Sequence, residues 1–485
     1  MQPTGILCVI PSRLGVGEQF TVKVKVLGPV RPVPCSGSWR TPKPGLAGPF
    51  NLNVDRGIQY LDNCLPAWAG ALEIDGGGAL AGPARLTFDG AEQGVFAGDT
   101  RPINVFGGFR WTRPGFHFVR LVEPRSGLEA WSNPVHVTEQ PPAERIVWGD
   151  PHWQTFLSDA VRCPEELYAF ARDEAFLDFG AISDHVEAVT DRQWEYMAAV
   201  SNDYNEPGRF ATLIGQEWTN HTYGHRNIYY RGEGGPVLRS TDTRYDTLDK
   251  LRRAVGGLDV LVIPHHTASA HAGCDWSFGW DSAHEKAVEI HSVWGCSERP
   301  AEAGNTLAIR FLGGEAGGRH VIDALRRGYR FGFVGGGDIH DGRPGDELHT
   351  LQKDVAGYEL LRPQGFTAAF VPELTRGCIY EAIRDRRTYA TTASRIYLTV
   401  HARAESGRAR LAIQAASEDG IREAVCVRNG EDAACCRPDD DPRVVVADQP
   451  LGDMGPDEFC YVRVVTGRGA MAWSSPIWGD EIPAQ

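Results

Sequence analysis

The chain lacks any long apolar run and is short of basic residues. No segment reaches the roughly 18 consecutive apolar residues that a membrane-spanning helix needs. Lysine and arginine together number 49 against 63 aspartates and glutamates, a net charge of −14. A broad basic surface for nucleic acid or for an anionic membrane is therefore not expected. A small anionic substrate stays open, because a metal or a local arginine can reverse the field inside a pocket. The eleven cysteines include no Cys-x-x-Cys pair. They read as buried free thiols of a reducing compartment, and a cytoplasmic location is expected. The vicinal Cys435–Cys436 pair, in a polar stretch, is the one place where redox or metal chemistry suggests itself. The opening residues, Met1-Gln2-Pro3-Thr4-Gly5, carry no charged segment leading into an apolar one, so no secretory signal is visible.

What is present supports packed cores. Of the 485 residues, 42% are hydrophobic, 10% aromatic and 23% charged, which excludes a wholly disordered chain. At roughly 100–200 residues per domain, about three domains are expected. The first 140 residues alternate apolar and polar, as in Phe20-Thr-Val-Lys-Val-Lys-Val, with Pro42–Gly45 and Asp75–Gly78 as punctuation. That is the period of half-buried strands. The last 90 residues look alike, with Arg395-Ile-Tyr-Leu-Thr-Val-His-Ala and Arg410-Leu-Ala-Ile-Gln. The two ends share a phrase. Phe116-His-Phe-Val-Arg-Leu-Val with Gly127-Leu-Glu-Ala-Trp-Ser-Asn-Pro-Val matches Phe459-Cys-Tyr-Val-Arg-Val-Val with Gly469-Ala-Met-Ala-Trp-Ser-Ser-Pro-Ile. This internal repeat reads as strand, turn, strand. Trp131 and Trp473, inside the shared phrase, are expected in cores, with carbohydrate or partner binding as the alternative.

The middle is different. Twelve of the fifteen histidines lie between His152 and His349. Short apolar runs there end in polar residues: Arg145-Ile-Val-Trp-Gly-Asp-Pro-His152, Phe176-Leu-Asp-Phe-Gly-Ala-Ile-Ser-Asp-His185, Phe210-Ala-Thr-Leu-Ile-Gly-Gln-Glu217, Leu258-Asp-Val-Leu-Val-Ile-Pro-His265, Ala287-Val-Glu-Ile-His291 and Phe331-Gly-Phe-Val-Gly-Gly-Gly-Asp-Ile-His340. Helices are expected to start at Pro164 and to cover Tyr245–Val255 and Arg319–Arg327, with Gly256 and Gly328 as stops. Strands alternating with helices imply parallel βα units, whose active sites gather at the carboxyl ends of the strands. A lone histidine is ordinarily structural. Six or more imidazoles and carboxylates at successive strand ends are the ligand set of a polynuclear Zn²⁺, Mn²⁺ or Fe²⁺ centre.

The order of these phrases resembles the polymerase and histidinol phosphatase (PHP) superfamily of metal-dependent phosphoesterases. The resemblance rests on Gly149-Asp-Pro-His152-Trp-Gln154-Thr-Phe-Leu-Ser158-Asp159, Ile182-Ser-Asp184-His185, Gly215-Gln-Glu217, Gly224-His225-Arg-Asn-Ile-Tyr, Val262-Ile-Pro-His265-His266 and Gly337-Asp338-Ile-His340. Finer phrases, Arg387-Thr-Tyr-Ala-Thr-Thr and Ala472-Trp-Ser-Ser-Pro-Ile-Trp, are similar to an uncharacterised PHP-like branch with flanking β regions. The resemblance implies an α/β fold: a distorted (β/α)7 barrel at 141–394 between β-sandwich-like regions at 1–140 and 395–485. It implies two or three divalent transition metal ions. His152, Gln154, Glu217 and Asp338 would surround the first. Glu217, His225 and His265 would hold the second, with Glu217 bridging. Asp159, His185 and His340 would hold the third. The first motif normally reads His-x-His, and Gln154 departs from it. A neutral amide is a weaker ligand than an imidazole, so the first ion is expected to be weak, absent or harder.

Asp184 reads as an orienter of a ligand. Glu217, His266, Arg226 and Arg343 are the candidate catalytic residues, the two arginines as anion contacts, with Arg395 a third cation to consider. His266 and His221 compete with His265 and His225 for their roles, His266 being favoured as an orienting or substrate contact, and His291 is a candidate pocket residue. His271, His284, His320 and His349 read as surface or loop residues. Gly180, Gly215 and Gly335–Gly337 read as room for close backbone approach, since the triple glycine lacks a dinucleotide fingerprint. The leading expectation is a hydrolase whose metal-activated hydroxide attacks a small-molecule phosphoester. The alternative keeps the metals and cleaves an amide, ester or lactone, or runs a lyase reaction, on a metabolite with an apolar part. Trp153, Trp218, Trp276, Trp280 and Trp294 would supply apolar walls for it. A non-catalytic carbohydrate- or partner-binding protein is the third. The expected partner is a small molecule, without nucleic acid or membrane, and the oligomeric state is open.

Overall fold

The computed structural model describes residues 2–32, 61–65, 67–90, 104–352, 357–405 and 408–483. The Pro42–Gly45 cluster and the side chain of His349 lie outside them. No helix among the described residues is long and apolar enough to cross a membrane.

The N-terminal strands build two facing layers. One contains Gly5–Val9, Gln19–Pro32, Val105–Trp111 and Leu80–Ala81, with Leu61–Cys64 beside Gln19–Pro32. The other contains Glu129–Trp131, Arg120–Val122, Ala69–Asp75 and Arg85–Asp89. The alternation along Gln19–Pro32 turns Phe20, Val22, Val24 and Val26 inward, where they share a core with Leu72, Ile74, Leu86 and Phe88. Each such side chain contributes about 1.5–3 kcal/mol on burial. At the Asp75–Gly78 turn, Gly77 and Gly78 take φ of 64° and 73°, a region glycine enters without a Cβ clash.

The shared phrase forms the same hairpin twice. Arg120 pairs with Trp131 and Leu121 with Ala130 at one end of the chain, and Arg463 pairs with Trp473 and Val464 with Ala472 at the other. The burial differs: Trp473 is 0% exposed, as expected, but Trp131 is 41% exposed. Trp131 lies on the short, edge strand of its sheet, with the Arg443 guanidinium 5.0 Å from its ring.

Strand Arg145–Trp153 organises the middle region. It runs parallel to Phe179–Ile182 on one side and antiparallel to Gly365–Val371 on the other. This sheet continues through Thr388–Thr392 into Met471–Ser474, Phe459–Thr466, Ile421–Arg428 and Glu431–Cys436, ten strands in all. The C-terminal strands thus extend the central sheet, and a second ladder of Tyr397–Glu405, Arg408–Ala416 and Val444–Gly452 packs with it in one core. Two further ladders complete the wall of the centre: Ile214–Trp218, Arg226–Tyr230 and Val260–Pro264, and then Ala287–Ser292 parallel to Gly332–Gly335 with Gly295–Cys296 beside it. The strands of the first of these two are antiparallel. The described strands are therefore a mixed α/β arrangement of separate ladders, one of them antiparallel where parallel βα units are expected. A connection of only seven residues, 219–225, joins Ile214–Trp218 to the next strand, too few for a crossover helix, so the chain turns straight back.

The helix signals hold. Helix Pro164–Asp173 starts with proline in its first turn, Leu248–Val255 ends at Gly256, and Val321–Arg326 is followed by Gly328 at φ 81°.

Candidate metal centre

Asp150 shapes the entry to the site. Its carboxylate accepts from the backbone N–H of His152 (3.0 Å) and of Gly337 (2.7 Å), which binds the end of Arg145–Trp153 to the loop after Gly332–Gly335. The backbone then crosses over: Asp338 N–H donates to His152 O, and Gln154 N–H donates to Ile339 O. Side chains two apart point the same way, so His152 and Gln154 face the centre while Trp153 is fully buried in the core. Close approach demands glycine here. A Cβ on Gly336 would lie 2.1 Å from Glu289 Oε2, and one on Gly180 would lie 2.1 Å from the Trp153 ring. Asp338 itself sits at φ 48°, which turns its side chain back toward His152.

Glu217 is the hub. Its Oε1 lies 2.8 Å from His225 Nδ1, 3.2 Å from His185 Nδ1 and 3.4 Å from His265 Nε2. Its Oε2 lies 3.4 Å from His152 Nε2 and accepts from Gln154 Nε2 at 2.8 Å. His152 Nε2 is also 3.3 Å from Asp338 Oδ1. At the mouth, Asp159 Oδ1 is 3.2 Å from His340 Nε2 and 3.8 Å from His185 Nε2. Four groups have ligand atoms within 4.8 Å of one another: Asp159–His185–His340, His152–Glu217–His265, His185–Glu217–His225 and His225–His265–His266. All nine residues expected to hold metal therefore come together. The expected grouping of Glu217, His225 and His265 is shared out among three of these sets instead.

The electrostatics fit divalent cations. Burial alone would raise the Glu217 carboxyl, but His185, His265 and the bonded imidazoles hold it well below the usual range. Burial opposes a charge on His152 and His185, yet Asp338 and Glu289 raise the first, and Glu217 and Asp159 raise the second to about 10. Protons thus fill the place that metal ions would take among these carboxylates. His225 is pushed down to about 4 and His266 well below its ordinary value, both chiefly by burial. Neutral imidazole is the metal-ligating form. His152 Nε2, His225 Nδ1, both ring nitrogens of His265 and His266 Nδ1 are buried without a hydrogen bond of acceptable geometry. A buried polar atom left so is costly unless something else satisfies it.

Several residues orient the ligands. Glu289 Oε2 lies 2.9 Å from His152 Nδ1, which leaves Nε2 facing the centre. Thr219 Oγ1 is 2.5 Å from His185 Nδ1. Asp184 accepts from Thr155 N–H, Thr155 Oγ1 and Ser158 Oγ, the buttress expected of it, and burial raises it to about 6. Glu289 was not among the expected site residues. Its signal was present, since it lies one pleat before His291 in the run Ala287-Val-Glu-Ile-His291.

The structure takes both candidate arginines elsewhere. Arg226 Nε donates to Glu285 Oε1 (3.1 Å), and its Nη1 donates to the carbonyls of Tyr223 and Gly224. Arg343 donates to Asp62, Asn63 and Asp346, tying the loop after His340 to the N-terminal layer. Each is buried with acceptors that satisfy its fixed fork of donors. Arg395 likewise donates to Ala175 O and Phe176 O. His266 does join the centre, its ring 4.3 Å from His265 and 4.9 Å from His225. His221 is exposed, with Nδ1 3.4 Å from His225 Nε2. His291 is buried beside Trp473 and bonded to Pro363 O. His320, expected at the surface, is buried at a helix start beside Glu315 and Asp323, which supply the partners burial requires. Trp153, Trp218 and Trp276 are core, and Trp280 packs on Trp276 and Tyr329. Only Trp294 touches the centre, edge-on to His340 at 5.6 Å and stacked on Phe311. The nine described cysteines whose side chains are placed are free thiols.

Comparison with known proteins finds relatives without a described activity. A family described as a protein of unknown function (DUF3604) matches residues 158–274 and 347–448, somewhat less than half the chain. An uncharacterised protein of Chlamydia pneumoniae is 29% identical over 366 residues, 70% of this chain and 58% of its own length. An uncharacterised protein of Chlamydia muridarum is 27% identical over 402 residues, 76% of this chain and 63% of its own. The chain thus spans about three-fifths of the curated relatives it matches. Among solved structures, it is similar to a two-domain protein from Bacteroides vulgatus described as containing a predicted PHP-like metal-dependent phosphoesterase. The identity is 13% and the TM-score 0.35, covering 69% of this chain and 96% of that one.

Proposed function

We propose that this protein is a metal-dependent hydrolase acting on a small-molecule phosphoester. The observation that carries the reading is Glu217, one fully buried carboxylate with four imidazoles within 2.8–3.4 Å. Asp159, His185 and His340 would hold one ion; Glu217, with His152, His225, His265 and Asp338, would hold one or two more. Bound divalent ions would supply a Lewis acid and bring the pKa of water near 7. The chain's own part is orientation and exclusion. Glu289 and Thr219 set the imidazoles, Asp184 fixes the turn that carries Asp159, and the inner ligands are buried from solvent. The same reading includes a distorted seven-strand barrel, walled by the ladders described above, within a three-part chain divided near 140 and 394. Buried thiols support a reducing compartment for it.

A second reading has a specific support. Arg226 and Arg343 bind protein acceptors, while Trp294 and Phe311 present a half-buried aromatic pair beside His340. An amide, ester or lactone with an apolar part suits that mouth at least as well as a bare phosphate. The test is a screen of phosphomonoesters and diesters against amides, esters and lactones, using protein loaded with Mn²⁺ or Zn²⁺ and protein stripped by chelator. Metal-restored turnover of a phosphoester supports the first reading, and turnover of carbonyl substrates alone supports the second. No metal bound and no turnover of either class defeats both.

A further inference from the structure

Gln154 and His266 are complementary departures. At Gln154 the centre has an amide where an imidazole would complete the first motif. Its Nε2 donates to Glu217 Oε2 at 2.8 Å, and its Oε1 lies 3.1 Å from Ser158 Oγ. The amide is thus wedged with a donor toward the centre, and a donor cannot ligate a cation. At the opposite wall the chain has an imidazole more than the motif calls for. In a strand, His265 and His266 would point to opposite faces. Here His266 takes φ 32°, rare for a residue with a Cβ, and both rings face His225. Such backbone conformations persist where the surroundings demand them, commonly at functional sites. His266 is 4% exposed, and its Nδ1 makes no hydrogen bond of acceptable geometry.

We infer that His225, His265 and His266 form a three-imidazole site for a borderline divalent ion such as Zn²⁺, with His266 a metal ligand in its own right. Their ligand atoms already lie within 4.8 Å of one another. Three imidazoles with one open position is a common arrangement for zinc at which chemistry occurs. The chain so recovers at His266 the imidazole it lacks at Gln154, and the ion nearest Gln154 is the weak one. This rests on the reading that the centre binds metal, and the experiment separates the two.

The experiment uses the full chain, stripped by chelator and titrated with Co²⁺, reading bound metal by elemental analysis and the visible ligand-field spectrum. Wild type should show an intense four-coordinate band. His266→Ala, with far-ultraviolet dichroism unchanged, should lose that band and about tenfold or more in affinity for one ion, while a remaining ion stays bound. Gln154→His should instead strengthen the binding of a further ion and leave the band in place. A His266→Ala protein with the wild-type band and affinity overturns the inference and leaves the metal centre standing. So does loss of the band in Gln154→His, which would mean the two positions serve one ion. No cobalt bound by wild type overturns both the inference and the metal-centre reading.

Discussion

The two ends of the centre are built differently. At the inner end, His152, Gln154, Glu217 and His265 are fully buried, and Asp338 nearly so. At the mouth, the side chains of Asp159, His185 and His340 are 33%, 22% and 9% exposed. The inner residues lie in or directly beside ladder strands and are wedged by glycine contacts. The mouth residues stand on turns held by side chains: Asp184 for the turn of Asp159, and Arg343 with the N-terminal layer for the loop after His340. The inner end is thus preorganised by the fold, and the mouth by hydrogen bonds that a substrate or metal can share.

Glu217 touches His185 at the mouth as well as the inner imidazoles of His152 and His265, so its loss tests the comparison hardest. Glu217→Gln keeps the shape and removes the charge. Metal affinity should fall at both ends by more than the roughly 10–100-fold that loss of an outer partner costs, with hydrolysis falling alongside. Elemental analysis after dialysis reads it. A variant that loses metal at one end only would show that the ends are independent.

Proton competition is the next largest effect. In the metal-free protein His185 keeps its proton up to about 10 because Glu217 and Asp159 outweigh its burial. A metal must displace that proton, so affinity rises with pH until about 10 and weakens as pH falls. His340 and His152 are raised as well, so at least one proton is released per ion, which gives about tenfold or more per pH unit, or at least roughly a hundredfold between pH 6 and 8. His225, held down near 4 by burial, releases none in that window. Competition against a chromophoric chelator at fixed ionic strength measures it, and a pH-independent constant would contradict the assigned charge on His185.

The difference between the ends also explains what could be read in advance. The inner ligands announce themselves, because each ends an apolar strand run: His152, Glu217 and His265. The α/β character, the helix start at Pro164 and the repeated hairpin follow from local pattern. What failed was non-local. Arg343 reads as an anion contact from its place just past Asp338-Ile-His340, and only the fold brings Asp62 and Asn63 to it from some 280 residues away. Arg226 was misjudged for the same reason, its partner Glu285 lying on a distant turn. Trp131 and Trp473 share a phrase and a hairpin register, yet one lies on a sheet edge and the other in a core. Burial of an aromatic depends on what packs over it, and the phrase does not encode that. The antiparallel turn at 219–225 was also missed, since strand direction is not written in an apolar run.

The smallest expected effects compare one substitution at each end. Gly336→Ala would press a Cβ to within 2.1 Å of Glu289 Oε2 and 2.8 Å of His152 Cβ. Neither can retreat, because both are buried and bonded to each other. Overpacking of this kind costs about 1–3 kcal/mol, read as a lower midpoint in urea with an unchanged slope. Asp159→Asn, at the mouth, keeps the shape of a side chain that is one-third exposed, and should cost less, about 1 kcal/mol or under. It should still weaken the ion held with those two histidines. Stability would thus fall at the inner end with the local metal geometry, whereas at the mouth binding would fall with a smaller loss of stability. Equal loss of stability in both variants would mean that the mouth is as much a part of the core as the depth, and that the contrast between preorganised and adaptable ends is mistaken.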